Sequence, residues 1–106
     1  MTRRGDIFIM PFPFTDLKNS KVRPVLVLNS LPGDDCIVCM LTTQPSRSQY
    51  AVSISPSDTR NAAVRPGVIR LDRIVTCEER VLFKKIDELE PAKLQEALSA
   101  AKNLFD

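Results

Sequence analysis

A chain of 106 residues with 43% apolar side chains can build one core, which excludes intrinsic disorder and leaves room for a single domain spanning 1–106. It contains no histidine, so Ser-His-Asp triads, Cys-His nucleophiles and nucleases with a His pair are excluded by inventory. The formal charge of +2 conceals an asymmetry: residues 87–106 carry net −3 and residues 1–86 net +5, a balance that suits a polyanionic partner or an ordinary solvated surface.

At the N-terminus Arg3 and Arg4 are followed by an acid, Asp6, and the apolar run breaks at Pro11, unlike a secretory signal. No apolar run approaches the roughly 20 residues of a membrane span, so the expected address is the cytoplasm. Short apolar stretches then recur at 7–12, 25–29, 36–43, 50–54, 68–71, 74–76 and 81–86. They predict six or seven strands of a small, mainly β barrel or sandwich. Pro-rich turns punctuate them, among them Pro32-Gly33-Asp34-Asp35, Pro56-Ser57-Asp58 and Arg65-Pro66-Gly67. Val25-Leu26-Val27-Leu28 is apolar on both faces, so it reads as a central strand covered by the barrel interior on one side and by a helix or second subunit on the other.

Cys36, Cys39 and Cys77 are an odd number, which argues for free thiols. Cys36-x-x-Cys39 falls within a strand, where residues three apart face opposite ways, so the pair is read as core thiols and no metal or other cofactor is expected. Only the end predicts a helix. Pro91 suits its first turn, and Leu94, Leu98, Ala101 and Phe105 form one apolar stripe on a segment reaching about Leu104. Glu90 is a poor N-cap, and a helix of this length should dock on the barrel to be stable.

The order of motifs carries more than any one of them. Gly5-Asp6 precedes the first strand, Arg23-Pro24 precedes Val25-Leu26-Val27-Leu28, and Leu41-Thr42-Thr43-Gln44 ends the third. Tyr50-Ala51-Val52-Ser53-Ile54, Gly67-Val68-Ile69-Arg70-Leu71-Asp72-Arg73-Ile74-Val75-Thr76 and Lys84-Lys85-Ile86 follow. In this order and spacing the chain resembles the MazF/PemK (Kid) toxins of type II toxin–antitoxin systems over nearly its whole length. The resemblance implies an SH3-like barrel with small helices, a homodimer, and a metal-independent endoribonuclease that cuts single-stranded RNA at short sequences. It further implies an antitoxin with a labile, partly disordered segment over the RNA groove, and operator DNA bound indirectly through that antitoxin. The same barrel also carries CcdB-type gyrase poisons, so a non-enzymatic binding toxin, a family member without catalysis and a DNA-binding regulator are the competing readings.

Metal-free RNA cleavage uses the 2′-hydroxyl as nucleophile and needs a cation near the phosphorane. Without histidine that cation is Arg or Lys, and Arg23, its backbone fixed by Pro24, is the leading candidate and matches the family's catalytic Arg. Thr42 matches the family's active-site Thr. Arg70 and Asp72, two apart in a strand, share a face, and the resemblance to the PemK/Kid branch implies a catalytic role for both. Lys21, Thr43, Gln44, Arg47 and Tyr50 are the expected RNA-binding residues, Arg47 for phosphate and Tyr50 for stacking. The chain departs from the family in the loop before Arg23. Thr15-Asp16-Leu17-Lys18-Asn19-Ser20-Lys21 lacks the Gly-x-Glu-Gln of many members, which leaves Asp16 as its only acid.

Overall fold

The computed structural model of the protein describes residues 2–12 and 21–106. Six strands, β1 (Asp6–Phe12), β2 (Lys21–Ser30), β3 (Asp35–Thr42), β4 (Ala51–Ile54), β5 (Gly67–Glu78) and β6 (Lys84–Glu88), are followed by one helix, α1 (Pro91–Asn103). All strand pairs are antiparallel, in the order β4-β5-β3-β2-β1-β6, and the sheet curls into a half-barrel with α1 against it.

The alternation of β2 explains why it is central. Leu26 and Leu28 enter a core with Ile7, Cys39, Leu41, Ile69 and Leu71, against which Leu94 and Leu98 of α1 pack. Val25 and Val27 point the other way, into a second cluster with Met10, Cys36, Val38, Met40 and Leu82. Val25, Leu26 and Val27 are 0% exposed. Each such burial is worth about 1.5–3 kcal/mol. Both faces of the stretch Val25–Leu28 are therefore covered within one chain, and no second subunit is needed there. Among the described residues the exposed large apolar side chains are Val22, near the start of β2, and Val81, Phe83 and Phe105.

Cys36 and Cys39 fall in different clusters, as strand alternation requires. Cys36 stands directly opposite Cys77, their sulfurs 3.7 Å apart and both thiols free. Burial, with the Cys77 hydrogen bond second, pushes the Cys36 thiol up to about 12.

Three boundaries differ from the sequence expectation. The stretches 68–71 and 74–76 belong to one strand, β5, interrupted by a bulge: Met40 pairs with Arg70 and Cys39 with Ile74, so residues 71–73 have no partner on β3. The three extra residues reset the alternation, so that Leu71 and Ile74 both reach the core beside α1. The stretch 81–86 does not form one strand either. Glu79–Val81 makes a 3-10 turn, and pairing with β1 begins only at Lys84. Third, Phe105 is 85% exposed. The helix ends at Asn103, two residues before Phe105, and Ala97 supplies the fully buried position instead. Glu90 makes no side-chain cap.

The Gly5-Asp6 opening has a structural reason. Gly5 adopts φ 97°, donates to the Val27 carbonyl at 2.8 Å and accepts from the Leu89 N–H at 2.8 Å, tying β1 to β2 and to the entry of α1. Asp6 is buried, accepts from the Arg3 N–H at 2.9 Å and pairs with Lys85 at 3.1 Å.

Candidate active site

Cross-strand register brings the candidate residues together. Val25 pairs with Met40, and the same antiparallel register carried two residues further sets Arg23 of β2 beside Thr42 of β3. Met40 also faces Arg70 of β5, so Arg23, Thr42 and Arg70 belong to one face at one end of the sheet. A cleft of about 180 Å³ runs between them, with Arg23, Met40, Thr42, Gln44, Pro45, Arg70 and Arg73 around it. Arg23 and Thr42 also stand at the mouth of a second pocket, of about 250 Å³, which opens toward the main core. The two residues form the ridge between the cavities.

Thr42 ends its strand with its hydroxyl already oriented. Its Oγ1 accepts the Gln44 N–H at 3.1 Å, which leaves the hydroxyl hydrogen to be donated outward. Gly67, the first residue of β5, packs directly on this turn: a Cβ there would overlap the Thr42 carbonyl. Only glycine lets β5 approach so closely, and this contact fixes the end of β3 that carries Thr42.

Arg70 and Asp72 form a bidentate ion pair, Nε to Oδ1 at 2.7 Å and Nη2 to Oδ2 at 2.9 Å, with side chains 20% and 26% exposed. The bulge in β5 presents Asp72 here, freed from pairing with β3. The Arg70 hydrogen bonds, with a further one from the Ser48 hydroxyl, hold the Asp72 carboxyl below the ordinary carboxylate value, and the same pair raises Arg70. At neutral pH the pair is fully charged.

The second pocket has an apolar floor of Leu41, Ile54, Val64 and Ile86, and a polar rim of Arg23, Thr42, Thr43 and Arg65. Its far wall is the connection from β4 to β5, which Asp87 of β6 secures. Asp87 is 1% exposed, and its carboxylate accepts the N–H groups of Asn61, Ala63 and Glu88, each at 2.8 Å. Burial pushes this carboxyl up, but these N–H donors and the Thr59 hydroxyl outweigh it and hold it below its ordinary value.

The remaining expected RNA-binding residues are dispersed. Thr43 lines the second pocket and Gln44 the first cleft. Arg47 is exposed in the turn before β4 and lines neither. Tyr50 is half-buried and packs on the main core, with its carbonyl accepting the Leu71 N–H at 3.2 Å. Lys21 opens β2, and its side chain, like the loop holding Asp16, Lys18 and Asn19, lies outside the described residues. Sequence reasoning missed Arg65, Arg73, Gly67 and Asp87. Arg65-Pro66-Gly67 reads as a turn, and nothing local distinguishes Asp87 from its acidic neighbours.

Comparison with known proteins agrees with this fold. A family model described as PemK-like, MazF-like toxin of type II toxin-antitoxin system matches residues 3–105. None of the curated proteins matches the chain. Among solved structures, an endoribonuclease in complex with its cognate antitoxin from a mycobacterial species aligns at 21% identity and TM-score 0.78, over 97% of this chain and 93% of that one. The Mycobacterium tuberculosis toxin MazF-mt6 aligns at 23% identity and TM-score 0.75, over 95% and 96% respectively. A MazE-MazF structure from Deinococcus radiodurans aligns at 17% identity and TM-score 0.77, over 97% and 94%.

Proposed function

Since the chain belongs to the PemK-like, MazF-like toxins of type II toxin–antitoxin systems, we propose that it is a metal-independent endoribonuclease acting on single-stranded RNA, with one toxin domain over residues 1–106. The observation that carries this reading is the convergence of Arg23, Thr42 and Arg70, from three strands, around one cleft. The 2′-oxygen of the substrate attacks the adjoining phosphorus, and its proton passes to the Asp72 carboxylate as Arg70 turns toward the phosphate. The Arg23 guanidinium offers two parallel donors to the nonbridging oxygens of the phosphorane, and the free Thr42 hydroxyl hydrogen supplies a third. The 5′-oxygen then leaves and takes a proton from water. Bidentate pairing in the resting state keeps Asp72 ionised and Arg70 in place until substrate arrives.

The same reading implies a cytoplasmic protein, since RNA is its substrate, and no helix among the described residues is long and apolar enough to cross a membrane. It also implies an antitoxin whose acidic, partly disordered segment competes with RNA for the arginines of the cleft. A homodimer is the third implication, supported by the exposed apolar pair Val81 and Phe83. The decisive experiment incubates the protein with a long single-stranded RNA in EDTA and maps the new ends. Cleavage leaving a 2′,3′-cyclic phosphate and a free 5′-hydroxyl is expected; 5′-phosphates, or activity that depends on added magnesium, would overturn the mechanism. Intact RNA together with arrest of DNA gyrase would favour the binding-toxin alternative.

A further inference from the structure

The pocket beside the cleft is more elaborately built than phosphate binding requires. Between Thr59 and Arg65 the chain is fastened to β6 at successive points. Thr59 bridges Leu89, the Arg60 N–H donates to the Glu88 carbonyl at 2.9 Å, and Asn61 and Ala63 both donate to Asp87. To deliver two N–H groups to one carboxylate, Ala62 adopts φ 54°, a left-handed conformation that a side chain disfavours. A carboxylate has been buried and a residue strained to hold this segment in one shape. What that shape achieves is the far wall of the pocket, made by Ala63, Val64 and Arg65.

The chemistry of the pocket indicates its occupant. Its floor is apolar and its volume, about 250 Å³, is small. Two guanidinium groups, Arg23 and Arg65, stand at its rim, and Arg23 belongs equally to the adjoining cleft. An apolar slot flanked by cations suits one unpaired nucleobase between two phosphates; a paired base would not enter. We propose that this pocket receives the base adjoining the scissile phosphodiester, that Ala63 and Arg65 determine which base is accepted and how tightly, and that Asp87 is the positioning residue for both. The inference rests on the nuclease reading above and names the substrate-selecting part of the same site.

The test compares cut-site spectra and steady-state kinetics of the wild-type protein and three variants on a randomised single-stranded RNA. Ala63→Leu keeps the N–H that bonds Asp87 but fills the slot, so the preference at the position adjoining the cut should change at least about tenfold. Arg65→Ala removes an exposed side chain from the rim of the pocket. KM should rise about tenfold with kcat within about twofold, and the dependence of log(kcat/KM) on log salt should flatten by roughly 0.7. Asp87→Asn places an amide among N–H donors and should broaden the cut-site spectrum without abolishing cleavage. If Asp87→Asn does not fold, Ala63→Leu and Arg65→Ala, both at exposed positions, still decide the matter. Wild-type protein that leaves RNA intact would overturn the nuclease reading. Wild-type protein that cuts at defined sites, with both exposed variants cutting at the same sites with unchanged kcat/KM, would overturn this inference alone. A uniform fall in kcat at unchanged preference would equally reject the selecting role.

Discussion

In the proposed mechanism Arg23 acts through the planar fork of its guanidinium. A lysine at position 23 would keep the charge but lose the planar fork, so Arg23→Lys should cost at least about 2 kcal/mol of transition-state stabilisation, some thirtyfold in rate. A well-folded Arg23→Lys protein that retained more than about half the wild-type rate would show that a point charge suffices. Asp72 offers a test by pH. Its carboxyl lies below the ordinary carboxylate value, so the ionised, proton-accepting form persists as pH falls and is lost only when pH passes through that lowered value. The rate attributable to this group should therefore be flat from neutrality to about pH 5 and fall only below about pH 4. Asp72→Asn should reduce kcat by about 10²-fold or more, as expected for a lost general base. If Asp72→Asn proves nearly as active as wild type, the carboxylate serves only to hold Arg70. Asp87 links pH to stability with the same sign. Its folded-state value is depressed, so its contribution is complete above the unfolded value near 3.8 and is lost as pH drops through the lower, folded one. Urea midpoints should be level between pH 5 and 7 and decline below about pH 4, more steeply for wild type than for Asp87→Asn.

At the scale of elements, the end of β3 and the start of β5 make one unit. Gly67→Ala would drive a methyl group into the Thr42 carbonyl, and because backbone cannot swing aside as a side chain does, the two strands must separate. Destabilisation of about 1–3 kcal/mol is expected by denaturant unfolding, with loss of cleavage exceeding the loss of folded protein. This contact shows where the sequence ceases to be legible. Arg23 and Thr42 are legible because each sits beside an unmistakable strand in a recognisable order, and Arg70 with Asp72 because a spacing of two sets them on one face. Gly67, Arg65 and Asp87 matter through what the folded chain lays against them, from 24 or more residues away in the case of the Asp87 partners Asn61 and Ala63. Periodicity likewise found the strands but divided β5, since a bulge of three residues looks, in one dimension, like the gap between two elements. Phe105 fits the helical period but lies beyond the last helical residue, Asn103, and stays 85% exposed.

Among the described residues, the molecule is a sheet whose two faces are both occupied, and Val81 and Phe83 are, with Val22 and Phe105, the large apolar side chains in the open. Sedimentation at tens of micromolar should give a dimer, and Phe83→Ser should weaken it; a wild-type monomer at that concentration would remove assembly from the account. The sheet order also dictates when a newly made chain becomes dangerous. The first three strands lie side by side in sequence and form a meander as they emerge, but Arg70 and Asp72 arrive with β5, which must pair outside β3, and β6 then returns across the sheet to β1. Such pairings between distant segments are the slow ones in folding. A ribosome-bound chain that has already exposed Arg23 and Thr42 still lacks the ion pair, the bulge and the wall anchored by Asp87. On the proposed nuclease reading the toxin is thus inert through most of its own synthesis, and its site is complete only once the last strand, β6, has been laid down.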